Sequence, residues 1–160
     1  MLFINKESVL SLNTIEFQEV NRENFNSIIS LRVSSDQVDY IDSNLYSIAY
    51  SKVCPSLATY GIYCNDTLVG FTQFGKDPNH LRYMLAEIMI AEQYQNKGIG
   101  QLALIKIIKN LKNECKFDSL ILTLVPENEI AKNIYIKFGF ILIDEVIIED
   151  ELTMQLTFDS

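Results

Sequence analysis

EIMIAEQYQNKGIGQLAL, residues 87–104, starts as an apolar strand and finishes as the opening of a helix, with two glycines at the joint. Gly98 and Gly100 follow Gln95, Asn96 and Lys97, and the apolar positions Ile99, Leu102, Ala103, Ile105 and Leu111 continue as a helix to about Cys115. The first backbone N–H groups of a helix lack intrahelical partners and sit at the positive end of its dipole. Glycines at that point let a phosphate approach closely and tolerate the torsions that turn several amides toward it, while Lys97 adds a local positive charge. A tight strand-to-helix turn needing glycine only for its geometry accounts for the same residues. The commoner nucleotide fingerprints fit poorly. A P-loop needs four residues between its glycines and then Lys-Ser/Thr. A dinucleotide fingerprint permits Ala103 in its third position, but this turn follows a late strand instead of opening the fold.

Outward from that joint, short segments alternate without repeats or linker-like stretches. TIEFQEV (14–20) alternates like a strand, and residues 24–32 and 43–52 read as helices joined by an acidic connection. LATYGIYC (57–64) and TLVGFTQF (67–74) are β-rich runs separated by Asn65-Asp66, a two-residue hairpin signal. LRYMLAEIMI (81–90) is a third strand. SLILTLV (119–125) is apolar on both faces, as suits a central strand, and Pro126 ends it. Residues 128–138 read as a helix in which Ile130, Ile134 and Phe138 form a core stripe, stopped by Gly139. FILIDEVII and ELTMQLTF close the chain as strands around a turn at Glu149-Asp150. The unit from strand 81–90 through helix 98–115 to strand 119–125 is a βαβ crossover, which makes those two strands parallel in a mixed sheet with helices on both faces.

With 160 residues the expectation is one domain over 14–160, preceded by a tail or extra strand at 1–13. A chain of this size buries roughly 70% of its unfolded surface, enough for an ordinary core. Cys54, Cys64 and Cys115 are odd in number and scattered, so neither a disulfide framework nor a metal site is indicated and a reducing cytoplasm is expected. The net charge of -8 argues against nucleic acid and anionic membranes as partners and favours small cations. Neither a membrane span nor a signal peptide is read in the sequence.

The stretch 87–104 resembles the acyl-CoA signature of the GNAT superfamily of N-acetyltransferases, Q/R-x-x-G-x-G/A after a strand. PENEIAKNIYIKFGF (126–140) resembles the second GNAT signature, N-x-x-A-x-x-x-Y-x-x-x-G-F, one βα step later. The resemblance implies an α/β fold whose mostly antiparallel sheet has two splayed central parallel strands. It implies acetyl-CoA as cosubstrate, with its pyrophosphate on the amides of Gln95, Asn96, Lys97, Gly98, Ile99 and Gly100. Its pantetheine arm would pair with the backbone at Ile88, Met89 and Ile90. Asn128 would hold the arm by its side chain, and it also suits a helix N-cap.

Acetylating an alkyl amine requires removal of a proton from a group with a pKa of about 10.4, at a cost of roughly 4–5 kcal/mol at pH 7. The departing thiolate then needs a proton. The family resemblance points to Tyr135 as the acid, with the small Ala131 one turn earlier leaving room for the thioester. Glu87 is the candidate base, the one acidic residue in an apolar strand leading to the cofactor loop; the same residue also suits a solvent-facing sheet position. Backbone N–H groups at 88–90 are expected to polarise the carbonyl. His80, in the PNH turn, reads as a loop residue.

SSDQVDYIDSNLYSIAYSKV (34–53) resembles, more loosely, the substrate-side region of bacterial diamine and polyamine N-acetyltransferases at Gln37, Asn44, Ser47 and Ala49. Asp36, Asp39 and Asp42 crowd this stretch and would attract the distal ammonium of a diamine, although a solvated acidic loop has the same composition. Aminoglycosides, protein N-termini and a non-catalytic acyl-CoA-binding role are the alternatives. A homodimer joined through the closing strands is also expected.

Overall fold

The computed structural model describes residues 11–159. Within them the strands β1 (Ile15–Glu19), β2 (Leu57–Cys64), β3 (Thr67–Lys76), β4 (Tyr83–Ile90), β5 (Ser119–Leu124), β6 (Ile141–Ile143) and β7 (Leu152–Thr157) form one sheet. Its order is β1-β2-β3-β4-β5-β7-β6. Neighbours run antiparallel except β4 and β5. The helices are α1 (Phe25–Ile29), α2 (Asn44–Tyr50), α3 (Ile99–Glu114) and α4 (Glu129–Lys137). Residues 1–10 of the expected tail lie outside the described residues, and Leu12–Thr14 make one 3-10 turn into β1.

Local chemistry sets these elements. Asn65 and Asp66 both take positive φ, 47° and 65°, as a two-residue hairpin between β2 and β3 requires. In α3, Ile99, Ala103, Leu104, Ile107 and Leu111 are buried along one face. Leu104, Ile107 and Leu111 join Tyr83, Leu85, Leu120 and Leu122 in the main core. The other face of the sheet packs Phe71 and Met89 against Ile28 of α1, with Ile41 and Ile48 around them. Helices therefore cover both faces, as the βαβ reading requires. No helix among the described residues is long and apolar enough to cross a membrane.

Two features of β4 shape everything that follows. Its parallel pairing with β5 consists of Tyr83 opposite Leu120 and Met84 opposite Ile121, and beyond Met84 the strands part. From Leu85 onward, the edge of β4 that faced β5 has no strand partner. On its other side, Gln73 of β3 faces Glu87 while the next residue, Phe74, faces Leu85, so Ala86 is a bulge. The extra residue resets the side-chain alternation. Leu85 belongs to the core beneath α3, whereas Glu87 and Met89 turn to the side of α1 and α2. The Thr72 hydroxyl donates to the Glu87 carbonyl at 2.8 Å and fixes the bulge.

Two expectations fail here. Ile130 is 73% exposed, and α4 packs through Ala131, Tyr135 and Phe138 instead, because this nine-residue helix lies over the opening between β4 and β5 and turns Ile130 into that gap. The strand expected over 140–148 stops at Ile143. From Asp144 the chain leaves the sheet, held by Glu145, whose carboxylate takes both terminal nitrogens of Arg82 at 2.7 Å. Arg82 Nε also donates to Asp77 at 2.8 Å, so the guanidinium is locked between two carboxylates just ahead of β4.

Candidate active site

Two chambers meet where β4 and β5 separate. The first, of about 280 Å³, runs along β4 and under the start of α3, lined by Ile88, Met89, Ile90, Gln95, Asn96, Gly98, Ile99 and Gly100 and closed by Ile130, Ala131, Ile134 and Tyr135. Its far end is built for an anion. Gly98 caps α3 in the left-handed region, φ 80°, and no side chain caps the helix. Asn96 is also left-handed, φ 60°. A Cβ added at Gly98 would meet nothing within 4 Å, so the space before these amides is open. The residues present fit a coenzyme A diphosphate at this end and an extended arm along the unpaired edge of β4.

The second chamber, of about 230 Å³, opens on the other side of the same gap. Asp39, Asp42, Glu87 and Glu151 line it, together with Thr123, Asn128, Ile148 and the shared residues Ile88, Ala131 and Tyr135. It holds four carboxylates and no lysine, arginine or histidine. Among the described residues no group of three or more His, Cys, Asp or Glu is placed to hold a metal ion.

Glu87 is 8% exposed. Burial, followed by the nearby Asp42 carboxylate, pushes its pKa up to about 8, so the group titrates close to neutrality. Tyr135 stands on α4 with its ring edge-on to Phe140, the centroids 5.5 Å apart. Burial and then the Glu87 charge raise its phenol well above the ordinary value, so it stays protonated. A titratable carboxylate and a protonated phenol on one chamber wall can take one proton and give another.

The structure brings most of the expected site residues together, with four departures. Asp36 is exposed in the turn before Gln37 and lines neither chamber. Lys97 does not line the crevice: its ammonium donates to the Gln93 carbonyl at 3.2 Å and lies over the Tyr94 ring. The Ile88 N–H, one of the expected carbonyl-polarising groups, is already bonded to Glu87 Oε1 at 3.1 Å. Asn128 caps α4 through its bond from the Ala131 N–H, 3.3 Å, and faces the acidic chamber. The Gln95 side chain holds the loop, donating to Gln37 Oε1 and the Ile90 carbonyl, both at 2.8 Å. Asn44 and Ser47 are structural: Asn44 donates to the Ile28 carbonyl, and the Ser47 carbonyl accepts from Gln73. Sequence reasoning missed Ile148 and Glu151. They lie in a stretch read as strand and turn, and no local pattern marks them.

A splayed parallel pair, an uncapped helix at the splay and a tyrosine shared by two chambers fit an acyl-CoA-dependent transferase. Residues 18–140 match the profile described as the Acetyltransferase (GNAT) family, and the chain belongs to that family as an N-acetyltransferase. It is 31% identical over 133 residues to the spermine/spermidine N(1)-acetyltransferase of Bacillus subtilis strain 168, covering 79% of this chain and 88% of that protein. The PaiA N-acetyltransferase of Thermoplasma acidophilum, solved in complex with coenzyme A, superposes with a TM-score of 0.67 at 19% identity. That match covers 90% of this chain and 99% of the other. The Salmonella typhimurium enzyme that modifies the N-terminal serine of ribosomal protein L7/L12 gives a TM-score of 0.72 at 13% identity, covering 94% and 99%. The chain thus has the GNAT fold.

Proposed function

We propose that the protein transfers the acetyl group of acetyl-CoA to a primary amine of a small cationic acceptor, a diamine or polyamine, by direct attack in a ternary complex. The observation that carries this reading is the pair of chambers meeting at Ile88, Ala131 and Tyr135, one ending in free helix amides and the other lined only by acidic charge. The polyamine-acetylating activity named for the Bacillus relative supports it.

The amides of Gly98, Ile99 and Gly100 hold the diphosphate, and the open edge of β4 at Ile88–Ile90 aligns the arm. The acceptor enters as an ammonium attracted by Asp39 and Asp42 and gives a proton to Glu87. Its nitrogen lone pair then forms the C–N bond, the C–S bond breaks, and Tyr135 supplies the proton that converts the departing thiolate to a thiol. The nitrogen sheds its second proton as the amide forms, which restores the phenol through the chamber, leaving one net proton released. Holding both reactants at one junction removes much of the entropic barrier.

A panel of amines assayed for acetyl-CoA-dependent thiol release tests the reading. Diamines and polyamines are expected to turn over at far lower concentrations than aminoglycosides or peptide N-termini. Heat of acetyl-CoA binding without turnover of any amine would leave a non-catalytic acyl-CoA-binding protein instead.

We also assign a homodimer. β6 is an outer strand that exposes Ile141 and Leu142, 63% and 49%, a surface suited to pairing across a two-fold axis. Light scattering should give twice the chain mass of 18.4 kDa; a single-chain mass removes the assignment.

A further inference from the structure

We propose that Glu151 is a specificity-determining residue of the acidic chamber, where its carboxylate takes the distal ammonium of an acceptor whose reacting nitrogen lies at Glu87 and Tyr135. This rests on the amine acetylation proposed above and adds to it the end of the substrate that the chamber reads.

Glu151 reaches the chamber from the connection between β6 and β7, far along the chain from the segment that carries Asp39 and Asp42. Among the described residues its carboxylate makes no hydrogen bond and no ion pair, whereas Glu145, six residues earlier, is fully engaged by Arg82. A half-buried carboxylate without a cationic partner among the described residues, in a chamber without basic residues, is free to take a cation from outside the chain.

The connection that carries it is pinned at both ends. At one end Glu145 holds Arg82 with its carboxylate, and its carbonyl accepts the Thr153 hydroxyl at 2.5 Å. At the other end Asp150 takes a left-handed turn, φ 64°, and the Glu151 N–H bonds to the Ile148 carbonyl at 3.2 Å. Glu151 is therefore held in place, while Ile148 and Leu124 supply apolar wall for a methylene chain. Asp42 and Glu151 enter the chamber from different elements, Asp42 just ahead of α2 and Glu151 just ahead of β7. An acceptor whose reacting nitrogen lies at Glu87 therefore meets a further carboxylate, Glu151, in the same chamber.

The test compares cadaverine with n-pentylamine, two amines of equal carbon length that differ in the distal ammonium, using the full chain at saturating acetyl-CoA. Glu151→Gln is expected to raise the KM for cadaverine about tenfold, the loss of one charge-assisted contact. The KM values for n-pentylamine and acetyl-CoA are expected to stay within about twofold. Glu149→Gln removes the same charge from an exposed neighbour that lines neither chamber and should leave every constant unchanged. An equal rise for both amines, or no rise for cadaverine, overturns the assignment while leaving amine acetylation intact. If neither amine, nor any other, releases thiol with the unaltered protein, the underlying reading falls and the assignment falls with it.

Discussion

Tyr135→Phe should lower kcat for amine acetylation about a hundredfold while leaving acetyl-CoA affinity unchanged. The size follows from the leaving group. General acid help is worth roughly 10²–10⁴-fold. A thiol with a pKa near 8.5 departs as its anion far more readily than an alkoxide, which puts the loss at the lower end of that range. Binding is spared because phenylalanine keeps the ring that packs edge-on to Phe140 and lines both chambers. Thiol release under saturating substrates measures the first quantity and titration calorimetry with acetyl-CoA the second. Unchanged turnover would remove Tyr135 from the proton path; equal losses in kcat and in affinity would reduce it to a wall of the crevice.

Glu87→Gln should cost about a hundredfold in kcat/KM for the amine and abolish its dependence on pH near 8. In the unaltered protein the base becomes competent as the carboxyl loses its proton, so activity rises with pH through about 8. Glutamine keeps the shape and cannot accept the proton, so the variant shows no such rise.

The same group links pH to stability, with a sign that runs against most carboxylates. Its pKa is raised on folding from the ordinary value near 4.5 to about 8, so the folded chain holds the proton more tightly than the unfolded one. The associated stability is complete below pH 4.5 and is lost as pH climbs through 8, a change on the order of 5 kcal/mol. Urea midpoints for the protein and its Glu87→Gln variant should therefore diverge between pH 5 and pH 9, with the variant ahead at the alkaline end. Parallel curves would show that Glu87 is solvated in solution.

The order of the sheet elements was legible because each carries its own period or turn signal. β2 runs over the expected residues 57–64, and α3 extends from Ile99 to Glu114 behind its glycine cap. The donor crevice was legible for the same reason: its amides are consecutive in the chain. The acidic chamber was only half legible. Asp39 and Asp42 fall in one conspicuous stretch, but nothing local distinguishes them from Asp36, which lines neither chamber. Glu151 reaches the chamber through the Arg82–Glu145 contact, whose partners lie 63 positions apart. Ile130 was misread because a four-residue period describes a helix face, and tertiary packing decides which face goes inward. The Lys97 side chain lies outside the crevice lining because a nearby carbonyl and the Tyr94 ring compete for its ammonium.

The bulge at Ala86 bears on how such a chain can diverge. Regularising the strand with Ala86 kept in the pairing would invert the parity beyond it: Glu87 and Met89 would swap layers with Ile88 and Ile90, burying a carboxylate beneath α3 and emptying the acceptor wall in one step. Drift cannot approach that state gradually. Descendants of this protein can change their amine by substituting residues in the loops around the chamber, while single-residue insertions or deletions in β4 after the bulge move its side chains to the wrong layer.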